Sequence, residues 1–332
     1  MASLDTFWQT NNLISTILYP LSRLFCLTVQ IRRSAYQSGV FKTHTLSAPV
    51  IIVGNISVGG TGKTPLVIWL SQYLQQQSLK PGVLTRGYLG KSRKWPQLIR
   101  PDSDPDQVGD EAVLLARRCD CPVVAGPNRV ASGQLLISRY SCNVLLSDDG
   151  LQHYTLQRDL EIAVIDGQRR LGNGLCLPAG PLRELPSRLD TCDLVIINSS
   201  VAILAPYEYG MDLSCEYAVD LKDPYQKRLL SSFQDQKIIA VAGIGNPQRF
   251  FSMLRTQGLN IAQELSFPDH HKFTTQDFAK LQGRTVLMTE KDAVKCERLH
   301  NTIGFWYVPI MTILEPNAVD KLAQLSVKIS AL

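Results

Sequence analysis

Acidic side chains are almost missing from the first third of this sequence. Up to residue 101 there is one, Asp5, against eleven Lys and Arg. The remainder is mildly acidic, so the 332-residue chain carries 34 basic and 29 acidic residues, a net charge of +5. So basic a start points to an anionic partner: phosphate, nucleic acid or an acidic membrane surface. Paired cysteines are also lacking. The eight cysteines, at 26, 119, 121, 142, 176, 192, 215 and 296, form no Cys-X-X-Cys pair and no Cys/His run with zinc-finger spacing. That excludes a zinc module and predicts buried, reduced thiols in a cytosolic chain. No internal repeat or low-complexity tract is present. Hydrophobic content of 45% and charged content of 19% are ordinary, which excludes a disordered tail, a collagen-like fibre and a polytopic membrane protein. A chain of this length predicts two domains, with a core that needs no disulfides.

No uninterrupted apolar run reaches the roughly 20 residues of a spanning helix. Residues 6–31 come nearest, but Pro20 and Arg23 interrupt them. No Lys or Arg precedes the apolar stretch, so a signal peptide is not expected. Leu13, Ile14, Ile17, Leu18, Leu21, Leu24 and Phe25 recur at helical spacing and form one stripe. Trp8 and Tyr19 suit the headgroup level, and Arg23, Arg32, Arg33 and Lys42 suit lipid phosphates. Residues 1–40 are therefore expected to form an amphipathic, membrane-associated helix; a helix packed on the protein's own core is the alternative.

A short, fully apolar strand is expected at 49–53 and further apolar runs at 83–85, 122–125, 144–147, 162–166 and 194–198, with helices at about 64–77, 109–118 and 127–139. Continuous Val/Ile/Leu strands alternating with helices predict a parallel sheet covered on both faces. Residues 201–235 are less regular and contain Pro206 and Pro224. Strands then resume at 238–242, 285–288 and 305–308, with helices near 247–257 and 316–329. The expectation is an α/β fold: a P-loop NTPase-type sheet over 41–200, a linker over 201–235 and a smaller α/β domain over 236–332.

Residues 54–65 read Gly-Asn-Ile-Ser-Val-Gly-Gly-Thr-Gly-Lys-Thr-Pro. They lie between a strand and a helix, where a Walker A loop belongs. Backbone amides of Ser57, Val58, Gly59, Gly60, Thr61 and Gly62 would curl around a phosphate chain at a helix N-terminus. Lys63 would reach the β- and γ-phosphates, and Thr64 would hold Mg²⁺. The spacing asks for glycine at 57, where Ser57 stands. The doubled glycine resembles the loop of partitioning-type ATPases, but their signature lysine is replaced by Val58. Residues 144–150, an apolar run ending in Asp148-Asp149-Gly150, have Walker B form, with carboxylates at the sheet edge near bound Mg²⁺. Asp110 and Glu111 open a helix, where acids serve either as caps or in catalysis. Thr289-Glu290-Lys291-Asp292 has the wrong order for a guanine-reading motif.

Together these pieces resemble the tetraacyldisaccharide 4′-kinases of lipid A biosynthesis. The matching segments are 54–65, TRGY (85–88), VGDE (108–111), AGPNR (125–129), SDDGLQH (147–153), LPAGPLRE (177–184), FPDHH (267–271) and TEKDAVK (289–295). The resemblance implies transfer of the γ-phosphate of ATP to the 4′-hydroxyl of tetraacyldisaccharide 1-phosphate, giving lipid IVA. It implies a peripheral enzyme on the cytoplasmic face of the bacterial inner membrane, with ATP and Mg²⁺ as cofactors. By the same resemblance Asp110 is the base and His270 its partner. Lys63 serves the phosphates, and Thr64, Asp148, Asp149 and Glu111 lie at the metal. Arg129, Gln152, Arg183 and Glu184 surround the reacting phosphate or substrate. A monomer without nucleic acid is expected. A partitioning-type ATPase switch and a nucleic-acid module are the rival readings; Val58 opposes the first, and the second lacks a recognition motif.

Overall fold

The computed structural model describes residues 7–199 and 205–330. Residues 1–6 of the expected N-terminal helix segment, residues 200–204 around the expected linker boundary and the last two residues lie outside that description.

A nine-stranded sheet forms the larger unit. From one edge to the other it runs β15 (Met311–Leu314), β8 (Glu208–Ser214), β7 (Leu194–Asn198), β6 (Leu160–Asp166), β1 (Val50–Gly54), β5 (Val144–Asp148), β2 (Pro81–Thr85), β4 (Val123–Ala125) and β3 (Gln97–Ile99). The inner seven strands are parallel, and β3 and β15 close the edges antiparallel. Every residue of β1, β5, β6 and β7 is buried, which is why these strands read as largely apolar runs. Alternate side chains feed two cores. Ile51, Val53, Leu146 and Ile162 face α2 (Lys63–Gln76) and α4 (Asp110–Arg118), the latter preceded by the one-turn α3 (Pro105–Val108). Val50, Ile52, Leu145 and Ala163 face Leu136 of α5 (Arg129–Tyr140). A one-residue slip would exchange the two sets, so the register is strongly specified.

The second sheet has six strands: β10 (Lys227–Leu229), β9 (Tyr217–Asp220), β14 (Phe305–Val308), β13 (Thr285–Thr289), β11 (Ile238–Ala242) and β12 (Ile261–Ser266). One face packs on Phe250, Phe251 and Leu254 of α6 (Pro247–Thr256). The other meets Phe273, Phe278 and Ala293, the last on α7 (Glu290–Cys296).

Two expected boundaries are corrected. The stretch 201–235 is not a plain linker, because β8 extends the first sheet while β9 and β10 form an antiparallel edge on the second. The chain also returns: β15 pairs with β8, and α8 (Pro316–Ser330) packs Ala318, Leu322 and Leu325 into the first core. These side chains cover the apolar face that Leu194, Ile196 and Met211 would otherwise leave open.

The N-terminal helix, α1 (Leu13–Gln37), runs unbroken through Pro20. Pro20 is exposed and removes only one ladder hydrogen bond there, so the helix tolerates it. The amphipathicity of α1 is inverted. Ser15, Ser22 and Cys26 are its buried residues, whereas Leu13, Ile14, Ile17, Leu21, Leu24, Leu27 and Ile31 are exposed. Ser22 anchors α1 by donating to the Cys176 carbonyl at 2.7 Å. Leu18 and Phe25 of the expected stripe are only partly covered.

Candidate active site

The loop after β1 turns into α2 through glycines in the left-handed region, Gly59 and Gly62, both at φ 95°. Gly62 caps α2 without a side-chain hydrogen bond, leaving the first amides of the helix for an anion. A Cβ at Gly62 would lie 2.3 Å from the Asn198 amide nitrogen. The loop is held from outside. Asn198 donates to the Thr61 carbonyl at 2.8 Å, and Arg169 donates to the Gly60 carbonyl at 2.6 Å. The Val58 amide donates to the Pro181 carbonyl at 2.9 Å, so the phosphate contact expected of that amide is already committed elsewhere. Ser57 forms an isolated bridge with Leu182.

Asp148 ends β5 fully inside the structure, and its Oδ1 has no hydrogen-bond partner among the described residues. Burial, with Glu111 and Asp149 adding negative charge, pushes its carboxyl up to about 7. Asp149 follows in the left-handed region at φ 49°. It lies 3.5 Å from Lys63 Nζ and 3.1 Å from an Arg183 nitrogen. Burial opposes its ionisation, but these two cations outweigh burial and lower its pKa. Arg129 is buried and donates to the Asp148 carbonyl at 2.8 Å; burial brings its guanidinium down to about 10. Lys63, Asp149 and Arg183 thus meet, with Asp148 and Arg129 directly behind them. Thr64, the second residue of α2, sits at the helix start beside Lys63.

A carboxyl that ionises less readily folded than unfolded favours the fold fully below pH 4 and progressively less as pH rises to 7. Asp148→Asn, without divalent cations, is therefore expected to raise stability at pH 8 by on the order of 2–4 kcal/mol. Thermal unfolding at pH 8 and pH 4 checks this; the same offset at both values would contradict it.

Asp110 opens α4 and is buried. His270, 160 residues away on the second unit, places Nδ1 at 3.1 and 3.0 Å from its two carboxylate oxygens. Burial opposes ionisation of Asp110. The His270 hydrogen bond, with Lys291 and Lys295, overcomes it and holds the pKa at about 2. The same hydrogen bond raises the His270 pKa. His270 has φ 58°, an uncommon conformation that the surrounding contacts must maintain. Tyr88 meets its ring edge-on, with centroids 5.5 Å apart.

Gln152 and Glu184 come together elsewhere. Gln152 donates to Glu184 at 2.7 Å and to the Asn55 carbonyl at 3.0 Å, and the Tyr154 hydroxyl also donates to Glu184. Buried Arg188 joins this network through Glu161 and Glu184. Arg188→Met would leave Glu184 its hydrogen bonds but no paired cation among the described residues, and Glu161 with Arg158 alone, an expected loss of about 3 kcal/mol. Urea unfolding measures it; an unchanged midpoint would contradict the network's role. Sequence reasoning assigned no part to Asn198, Tyr88, Lys291, Lys295 or Arg188. The only signal for Tyr88, Lys291 and Lys295 was their position inside the matched segments TRGY and TEKDAVK.

A family model described as "LpxK: Tetraacyldisaccharide-1-P 4'-kinase" matches residues 14–327. A "Tetraacyldisaccharide 4'-kinase" of Nitrosococcus oceani is 53% identical over 304 residues, covering 92% of this chain and 88% of that protein. One from Haemophilus influenzae is 46% identical over 305 residues, covering 92% and 90%. Among solved structures, LpxK from Aquifex aeolicus in complex with ATP aligns with a TM-score of 0.79 at 28% identity, covering 96% of this chain and 99% of that one.

Proposed function

The chain belongs to the tetraacyldisaccharide-1-P 4′-kinase family, a kinase family of lipid A biosynthesis, and from that membership we propose the reaction and the residues that perform it. The chain transfers the γ-phosphate of ATP to the 4′-hydroxyl of tetraacyldisaccharide 1-phosphate and yields lipid IVA. The observation that carries the assignment is the Asp110–His270 pair, made across the two units at 3.0 Å. The residue next to Asp110, Glu111, is an electrostatic neighbour of Asp148.

The loop amides of residues 59–62 and the start of α2 hold the phosphate chain, and Lys63 neutralises its outer charge. A sugar hydroxyl is a poor nucleophile, so its proton must leave as the oxygen attacks phosphorus. Asp110 is the acceptor: it is ionised at neutral pH and held in one orientation by His270. Arg183 and Lys63, both beside Asp149, face the charge that develops on the transferring group, with Arg129 behind.

The residues present fit Mg²⁺. Asp148 carries a buried oxygen without a partner, and its two acidic neighbours make the spot favour a cation. Mg²⁺ keeps several waters and takes phosphate oxygens as ligands, so one or two carboxylates suffice. Thr64 and Asp148 would hold it, with Asp149 and Glu111 around it. When bound it would offset phosphate charge.

The exposed apolar face of α1, flanked by Arg23 and Arg32, supports peripheral docking on a membrane. We place that membrane as the cytoplasmic face of the inner membrane, where an acylated substrate and ATP meet. Gln152 and Glu184 shape the substrate side through the network under α1. The test is to incubate the protein with ATP, Mg²⁺ and the lipid, and to locate the new phosphate by ³¹P–¹H correlation. Coupling to the 4′ proton supports the assignment; phosphate at any other hydroxyl overturns it.

A further inference from the structure

Lys291 takes no part in binding phosphate or accepting the proton, yet it stands where the two units meet. Its ammonium lies 2.9 Å from Glu111 Oε1, 3.1 Å from Asp269 Oδ1 and 3.3 Å from His270 Nε2. Its side chain is only 15% exposed. Three hydrogens therefore meet three acceptors. An ammonium has no lone pair to offer, so its hydrogen bond to Nε2 requires that nitrogen to be unprotonated; the Asp269 carboxylate lies farther from Nε2, at 3.8 Å. The ring proton of neutral His270 then sits on Nδ1, which faces Asp110.

We propose that Lys291 is a positioning residue: it fixes the tautomer and orientation of His270, so that Nδ1–H always donates to Asp110, and it ties Glu111 to the 269–270 loop. Asp110 keeps its remaining lone pairs for the incoming hydroxyl, and Nε2 is screened from competing for that proton. The inference rests on the roles given above to Asp110 and His270.

Lys291 is itself held rigidly. It is the second residue of α7, whose N-cap, Thr289, accepts from the Asp292 amide at 3.2 Å. Asp292 in turn accepts from the Gly243 amide at 2.7 Å. The contact between α4 and α7 has other supports. Arg118 pairs with Glu290 at 2.6 Å, and Arg117 pairs with Glu297. Loss of the Lys291 charge leaves both pairs in place, so the variant is expected to fold. Lys295, 3.6 Å from Asp110 and 2.9 Å from Asp292, also stays. It faces Asp110 rather than the histidine ring, so it cannot replace the contact at Nε2.

The test uses the full chain labelled with ¹⁵N-histidine, as wild type, Lys291→Met and Lys291→Arg. The chain has five histidines, and His270→Ala assigns the signal. At a pH above the raised His270 pKa, where the ring is neutral, the wild type is expected to show Nδ1 pyrrole-like and Nε2 pyridine-like. Lys291→Met is expected to lose that pattern and about 10²-fold in kcat, with KM for ATP within about twofold. Lys291→Arg is expected to restore the pattern and most of the rate. A wild-type pattern in Lys291→Met overturns the proposal, whether or not activity falls, and so does an effect confined to KM. The spectrum needs no lipid, so the two readings separate. The expected tautomer in a protein that phosphorylates no lipid defeats the kinase assignment alone; the opposite tautomer in an active wild type defeats this inference alone.

Discussion

Asp110→Asn is expected to slow phosphate transfer by about 10²–10⁴-fold, the range for losing a positioned general base, while ATP affinity stays near the wild-type value. Asparagine keeps the shape of the side chain and still accepts from His270 through its one oxygen. What it loses is the capacity to take the hydroxyl proton. The low pKa of Asp110, about 2, means the base is ionised throughout the physiological range, so the defect should not be recovered by raising pH. Steady-state rates at pH 6, 7.5 and 9, with ATP binding measured separately, check this. A variant within threefold of wild type at all three would remove Asp110 from the chemistry. Loss of ATP binding would instead make it part of the nucleotide site.

Turning the outer face of α1 polar is expected to abolish membrane binding. Ile17, Leu21 and Leu24 are 67%, 54% and 60% exposed, so their substitution by Glu should leave the fold intact. Each side chain contributes about 1.5–3 kcal/mol when buried in an apolar phase. Three together predict at least a 10³-fold loss of partitioning into vesicles at about 1.4 kcal/mol per tenfold. Introduced acids also repel anionic headgroups and offset the charge of the neighbouring Arg23 and Arg32. Flotation with vesicles of phosphatidylglycerol and phosphatidylethanolamine gives the readout, with thermal unfolding as the fold control. Co-flotation equal to wild type would show that the lipid is met elsewhere.

The same helix shows what could be read beforehand. Its apolar stripe was legible, because 3.6-residue spacing is a local property. Its outward facing was the expectation, but core packing stayed open as the alternative, since the inner partners of Ser22 and Cys26, near Cys176 and Leu182, lie about 150 residues away. The phosphate loop was legible for a similar reason: strand, glycines, lysine and helix are contiguous. Asp110 alone read equally well as a helix cap. Only the family resemblance paired His270 with it beforehand, because no spacing rule spans the 160 residues that the fold closes. The strands β8, β9 and β15, at or next to sheet edges, escaped notice because they mix polar and apolar residues over few positions, as in Glu208–Ser214. Lys291 was hidden inside a segment read for its order of residues rather than for its charge. Its meaning depends on Glu111, Asp269 and His270, which meet only in the folded chain.

The central claim is a transfer of phosphate to lipid. Its most direct test is incubation of purified wild type and Asp110→Ala with γ-labelled ATP and tetraacyldisaccharide 1-phosphate in detergent, followed by separation of the lipid. Labelled bisphosphorylated lipid from the wild type, with severe loss in the variant, is the predicted result. ATP hydrolysis without labelled lipid in the wild type would contradict the account and favour an ATPase switch.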